Sequence, residues 1–215
     1  MTDKMLKDDV LAELAWEPSV NAAHIGVTAR DGIVTLTGDV CSYTEKLAAE
    51  RAAGRVSGVK AVAEELQVRY LDGLALSDED IAKRAIQTLA WDVSIPNDKV
   101  KVKVEKGWVT LTGSVDWYYQ KRDAVSDIRK HQGVVGVSDN ITIKPTVQSS
   151  DVRNKIVAAF GRSAEIDADD IVVTSDGGKV TLSGDVGTYS EKWLAASTAW
   201  SAPGVTQVDN LLTVN

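Results

Sequence analysis

The chain alternates between two hydrophobic rhythms, and does so three times. Each third opens with apolar residues in a helical grouping: Leu6, Leu11 and Leu14, then Ile81, Ile86 and Leu89, then Val152, Val157 and Phe160. Taken at offsets of 5 and 8, they are expected on one face of a helix. A period of two follows. Val100, Val102 and Val104 alternate with Lys99, Lys101 and Lys103, the pattern of a half-buried strand, and Ile25 with Val27 and Ile171 with Val173 hold the matching places. A second strand puts Val34 and Leu36 on one face, with Thr35 and Thr37 on the other. Between the strands stand Asp31-Gly32, Lys106-Gly107 and Gly177-Gly178, which predict two-residue type I′ hairpins because both turn residues need positive φ. A second helix is expected from about Tyr43, Tyr118 and Tyr189, carrying Lys46, Lys121 and Lys192 and then Ala49, Ala124 and Ala195. Leu66 and Val68, Ile141 and Ile143, and Leu212 and Val214 mark a last strand.

The second strand is nearly one string written three times: VTLTGDV over Val34–Val40, VTLTGSV over Val109–Val115 and VTLSGDV over Val180–Val186. Twenty residues after its glycine (Gly38, Gly113, Gly184) comes Gly58, Gly133 or Gly204, each followed by valine, and the periods are 75 and 71 residues. Units of that length are domains rather than solenoid repeats. The expected architecture is α+β: three tandem α-β-β-α-β domains at 1–72, 73–146 and 147–215, each a three-stranded mixed sheet with two helices on one face. Strand two is placed centrally, with strand three parallel to it through a right-handed crossover. The other sheet face, rich in Thr, Lys, Gln and Arg, is left to water or a neighbour. Cores this small are marginal, so packing between copies is expected to add stability. The joints, Arg69 to Leu76 and Lys144 to Gln148, are short. Ser77 before Asp78, Glu79 and Asp80, and Ser149 or Ser150 before Asp151, read as helix caps.

The VTLTG-D-V strand, the tyrosine-led helix and the Gly-Val before a final alternating strand resemble the BON domain, named for bacterial osmotic-stress and nodulation proteins. The resemblance covers nearly the whole chain as three tandem domains. It implies the same α-β-β-α-β order and a non-enzymatic binding module, without a cofactor, that contacts phospholipid surfaces. It also implies kinship with proteins induced by osmotic stress, many of them exported to the bacterial periplasm, and with cytoplasmic relatives that bind potassium.

Charge sharpens the choice of partner. The net charge is −7 over 215 residues, but residues 1–74 carry 8 Lys and Arg against 12 Asp and Glu, residues 75–147 carry 11 against 10, and residues 148–215 carry 5 against 9. An acidic chain disfavours nucleic acid, which needs many phosphate-neutralising cations. The middle copy is where an anionic surface would be attracted. Cys41 is the single cysteine, so no internal disulfide forms. The charged start MTDKMLKDDVLAELAW has no secretory apolar run, and the cytoplasm is the expected address; removal of a leader would make it the periplasm.

No catalytic set is apparent, and the expected activity is binding. Gly38, Gly113 and Gly184 are weighed as a ligand cradle at a helix N-terminus and favoured as a sharp turn or close packing. Tyr43, Tyr118 and Tyr189 with Lys46, Lys121 and Lys192 are weighed as proton-transfer pairs; repetition favours a tyrosine covering the sheet end beside a solvated lysine. His24 and His131 occupy unrelated places, Cys41 reads as a small filler, and Asp167, Asp169 and Asp170 read as solvated turn residues rather than a calcium loop. The favoured contact is in copy two. Lys99, Lys101 and Lys103 line one strand face, Trp117, Tyr118 and Tyr119 follow the second strand, and the loop with Trp91, Ile95 and Pro96 is expected to converge on the same end. Aromatics beside lysines suit a membrane interface. The expected partner is an anionic phospholipid surface; the alternatives are another protein or potassium ion.

Overall fold

Apolar alternation and helical spacing build the same element order three times. The computed structural model describes residues 2–69, 76–144, 151–164, 166 and 170–214. In the first copy, helix α1 (Asp3–Trp16) precedes a 3-10 turn at Ala22–His24, strands β1 (Ile25–Arg30) and β2 (Ile33–Val40), helix α2 (Tyr43–Arg55) and strand β3 (Ala61–Val68). Strand β1 runs antiparallel to β2 with Val27 opposite Leu36, and β3 runs parallel to β2 from Ala61 beside Ile33 to Val68 beside Val40. The central strand is therefore β2, as expected. Leu6, Val10 and Leu14 of α1 and Ala49, Ala52 and Ala53 of α2 close over Ile25, Val27, Val34, Leu36 and Leu66. An almost all-alanine inner face lets α2 lie close to the sheet.

The second copy comprises α3 (Asp78–Trp91), β4 (Val100–Glu105), β5 (Trp108–Val115), α4 (Tyr118–Arg129) and β6 (Gly136–Ile143), with sheet order β4-β5-β6. The third comprises α5 (Val152–Phe160), β7 (Ile171–Asp176), β8 (Lys179–Val186), α6 (Tyr189–Trp200), β9 (Gln207–Asn210) and β10 (Thr213–Val214). Here the expected last strand is interrupted. Both β9 and β10 run parallel to β8, and between them Leu211 N–H donates to the Leu182 carbonyl at 2.8 Å. By contacts the chain divides into two units, Met1–Thr88 with Val102–Leu111 and Val125–Asp139, and Leu89–Lys101 with Thr112–Ala124 and Asn140–Asn215.

The opening helices correct one expectation. Leu11 is only partly buried, and its counterparts Ile86 and Val157 are 58% and 40% exposed. The buried place is one residue earlier, at Val10, Ala85 and Ile156. At about 100° per residue, five residues turn the chain ~140° away from the core while four leave it within ~40°. The hairpins follow expectation in two copies, where Asp31 and Gly32, and Lys106 and Gly107, all have positive φ. In the third only Gly177 does, and Gly178 does not. Ser77 caps α3, accepting from Asp80 N at 3.1 Å. Ser149 and Ser150, and most of both joints, lie outside the described residues.

Candidate functional site

The start of the second helix is built alike in the first and third copies. Ser42 Oγ accepts from Glu45 N at 3.1 Å, and the Glu45 carboxylate reaches back to accept from Cys41 N at 2.7 Å and Asn21 N at 2.8 Å. In the third copy Thr188 accepts from Glu191 N at 3.0 Å while Glu191 accepts from Gly187 N at 2.9 Å. These are capping boxes, which satisfy amides that a helix start leaves without partners. In the second copy Gln120 takes the glutamate's part, accepting from Asp116 N and Trp117 N at 3.1 Å each. The hydroxyl, however, is missing: Trp117 stands where Ser42 and Thr188 stand.

The repeated lysines are not solvated, contrary to expectation. Lys46 Nζ donates to the Leu66 carbonyl at 2.7 Å and pairs with Glu64 at 2.8 Å. Lys121 Nζ donates to the Ile141 carbonyl at 2.7 Å, and Lys192 Nζ to the Leu212 carbonyl. Each lysine thus fastens helix two to the last strand. The tyrosines do not share one covering role either. Tyr189 is 79% exposed, whereas Tyr118 stacks on Trp200 of α6, centroids 4.1 Å apart and rings 14° from parallel.

The signature glycines are structural. A Cβ on Gly38, Gly113 or Gly184 would lie 2.1, 2.0 or 2.1 Å from the carbonyl oxygen of His24, Lys99 or Asp170, and all three have φ between +117° and +132°. The backbone that enters the first strand leaves no room for a side chain at these places.

Three of the expected contact residues share one groove. Trp117, Tyr118 and Tyr119 line a groove of about 430 Å³ together with Arg122, Ser197, Trp200 and Ser201. Lys99, Lys101, Lys103 and Trp91 are not part of that lining. Lys99 and Lys101 are exposed and have no ion-pair partner among the described residues, while Lys103 pairs with Glu105 at 2.8 Å. Trp91 is 86% exposed. Ile95, expected in the same patch, is buried at 4% exposure and anchors its loop instead. Sequence reasoning missed Trp200 and Arg122. Their signal was available: Gly54 and Arg129 hold the places of Trp200, and Leu47 and Trp193 those of Arg122.

Other candidates stay apart. Among the described residues no three or more His, Cys, Asp and Glu side chains are placed to hold a metal ion. His24 and Asp170 are exposed, and Asp167 and Asp169 lie outside the described residues. Cys41 is exposed rather than a core filler. Burial holds the His131 imidazole below its ordinary pKa; Arg84 adds to that effect and Asp127 opposes it. No described helix is long and apolar enough to cross a membrane.

The BON domain profile matches residues 2–70, 77–145 and 148–215. The chain is 30% identical over 149 residues to Osmotically-inducible protein Y of Escherichia coli (strain K12), an alignment spanning 67% of this chain and 74% of that protein. Among solved structures it is similar to CdsD, a structural protein of the type III secretion system of Chlamydia trachomatis, at 14% identity and TM-score 0.28, covering 98% of this chain and 92% of that one. It is also similar to the PrgH periplasmic domain, at 12% identity and TM-score 0.24, covering 89% and 95% of the two chains.

Proposed function

The chain belongs to the BON domain family, and we propose that it is a non-catalytic binding protein of osmotic stress whose second copy docks on anionic phospholipid surfaces. One observation carries the choice of copy. The 86%-exposed indole of Trp91 closes α3 just before a strand whose exposed face is basic. Trp16 is 83% exposed at the same place in copy one, but His24, Gly26 and Thr28 stand there in place of Lys99, Lys101 and Lys103. In copy three the places belong to Arg162, Asp170, Val172 and Thr174. Among the three copies, only the second has an exposed indole at this place followed in sequence by lysines at all three strand positions, which supports this reading.

The magnitude is modest. Lysine near an anionic bilayer contributes about 1 kcal/mol, so Lys99 and Lys101 supply about 2 kcal/mol and Trp91 insertion supplies the rest. Lys103 adds little while Glu105 offsets its charge. Binding of this kind is reversible and weakens with salt. Co-sedimentation of the full chain with phosphatidylglycerol vesicles, at low and high salt, tests it. Binding at low salt that vanishes at high salt, and that is lost in Trp91→Ala/Lys99→Ala/Lys101→Ala, is expected. No sedimentation at low salt, or undiminished binding by the triple variant, would refute it.

A further inference from the structure

The groove between α4 and α6 departs from the repeat on its aromatic side. Trp117 replaces the capping Ser42 and Thr188, Tyr119 replaces Thr44 and Ser190, and Trp200 replaces Gly54 and Arg129. Positions that hold the fold, such as the lysine fastening helix two or the glycine beside the first strand, keep their chemistry in all three copies. Of the positions that line the groove, Tyr118 recurs as Tyr43 and Tyr189, while those of Trp117, Tyr119, Arg122 and Trp200 change chemistry from copy to copy. Trp117 in particular gives up a capping hydroxyl whose loss costs about 1 kcal/mol.

The lining also has a definite polarity. The lining side chains offer two indole N–H donors, the Arg122 guanidinium, and phenol and serine hydroxyls that both donate and accept; none of the lining residues is Asp, Glu, Asn or Gln. Ser201 Oγ already donates to the Ser197 carbonyl at 2.9 Å, and Arg122 gives Nε and Nη2 to Asp123, both at 2.9 Å, leaving Nη1. Aromatic walls with spare donors suit a ligand that has flat apolar faces and many acceptors but few donors. Proline is the residue that fits: it has a carbonyl and no N–H. In the polyproline II conformation those carbonyls are free of internal hydrogen bonds, and the chain is already stiff, so little entropy is lost on docking. A quaternary ammonium would meet the aromatic walls but also the guanidinium's like charge. A sugar would find acceptors only on the hydroxyls of Tyr118, Tyr119, Ser197 and Ser201, and it is the rival ligand that the test below includes. Tyr119 on its wall is 44% exposed, which suits an extended segment passing over it better than an enclosed small molecule.

We propose that this groove binds a proline-rich segment of a partner protein in the polyproline II conformation, the aromatic rings seating the proline rings and the indole and phenol groups donating to the carbonyls. Titration of the full chain with a decaproline peptide, followed by tryptophan emission, tests it. The control is the same-length peptide with alternate prolines changed to alanine. Trp117→Ser and Tyr119→Thr install the residues of copy one, so they keep α4 capped and folded; thermal unfolding checks this. The expected results are saturable binding of decaproline, weaker binding of the control, and about tenfold loss in each variant. Trp91→Ala/Lys99→Ala/Lys101→Ala should bind decaproline as the parent does, which separates this site from the lipid contact. Absence of decaproline binding, equal affinity for both peptides, undiminished binding by folded Trp117→Ser, or saturation by maltose or choline instead of the peptide would each overturn the proposal.

Discussion

Replacing Glu45 probes the device that starts every second helix. The side chain is 9% exposed and accepts from Asn21 N at 2.8 Å and Cys41 N at 2.7 Å. Hydrogen bonds to a charged acceptor contribute about 1.5–3 kcal/mol each. Asn21 and Cys41 are surface residues whose amides water reaches once the carboxylate is gone. The lower end of that range therefore applies, and Glu45→Ala should cost about 3 kcal/mol. Glu45→Gln should cost about 1.5 kcal/mol, because a neutral acceptor bond is roughly half as strong as a charged one. The second copy supports that milder figure: Gln120 serves two amides from a single oxygen. Urea unfolding of the full chain reads the stability, and hydrogen exchange at the Asn21 and Cys41 amides reports the site itself. Alanine should speed exchange at both amides and lower the midpoint of the transition that carries the first copy, while glutamine keeps most of the protection. Equal losses in the two variants, or an alanine variant within about 0.5 kcal/mol of the parent, would refute the reasoning.

Two further outcomes follow from the same geometry. Gly113→Ala places a Cβ 2.0 Å from the Lys99 carbonyl oxygen at φ +132° and should destabilise by about 3 kcal/mol or more; Gly54→Ala, with nothing within 4 Å of the new Cβ in helix α2, should stabilise by about 0.5–1 kcal/mol. Thermal unfolding of the pair checks both signs. His131, whose pKa is depressed mainly by burial, takes up a proton more readily unfolded than folded, so its contribution is level above its unfolded pKa of about 6.5 and falls as pH drops below it; His131→Gln should flatten that part of a urea-midpoint profile, and an unchanged profile would count against it.

The repeat made most of the fold legible. Strand alternation placed Val34 and Leu36 inward, both fully buried. The shared string identified the central strand, and the hairpin dipeptides placed two turns with both residues at positive φ. What was not legible had local causes. Reading α1 at an offset of five rather than four put Leu11 inward, since offsets near one and a half turns point away from the starting face. The lysines were misread because their acceptors are backbone carbonyls twenty residues on, which no side-chain pattern announces. The groove was half legible. Trp117, Tyr118 and Tyr119 stood out as an aromatic run, but Trp200 belongs to another copy, and only the fold brings its ring onto Tyr118.

Cohesion between copies is the rival explanation for the aromatic groove, and it covers only part of the lining. A stacked aromatic pair contributes about 0.5–1.5 kcal/mol beyond its buried area, so the Tyr118–Trp200 stack offsets much of the ~1 kcal/mol lost with the capping hydroxyl. That accounts for Tyr118 and Trp200. Trp117 and Tyr119 are a different matter. Neither ring is part of the stack, serine or threonine at their places serves the other two copies, and Tyr119 is left 44% exposed. Trp117 is half-buried, so at position 117 the burial of its indole is set against the ~1 kcal/mol of the lost capping hydroxyl. If cohesion were the whole purpose, Trp117→Ser and Tyr119→Thr would lower the unfolding temperature and the parent would not bind decaproline. If the walls exist to hold a partner, the same two changes leave the fold intact and remove binding.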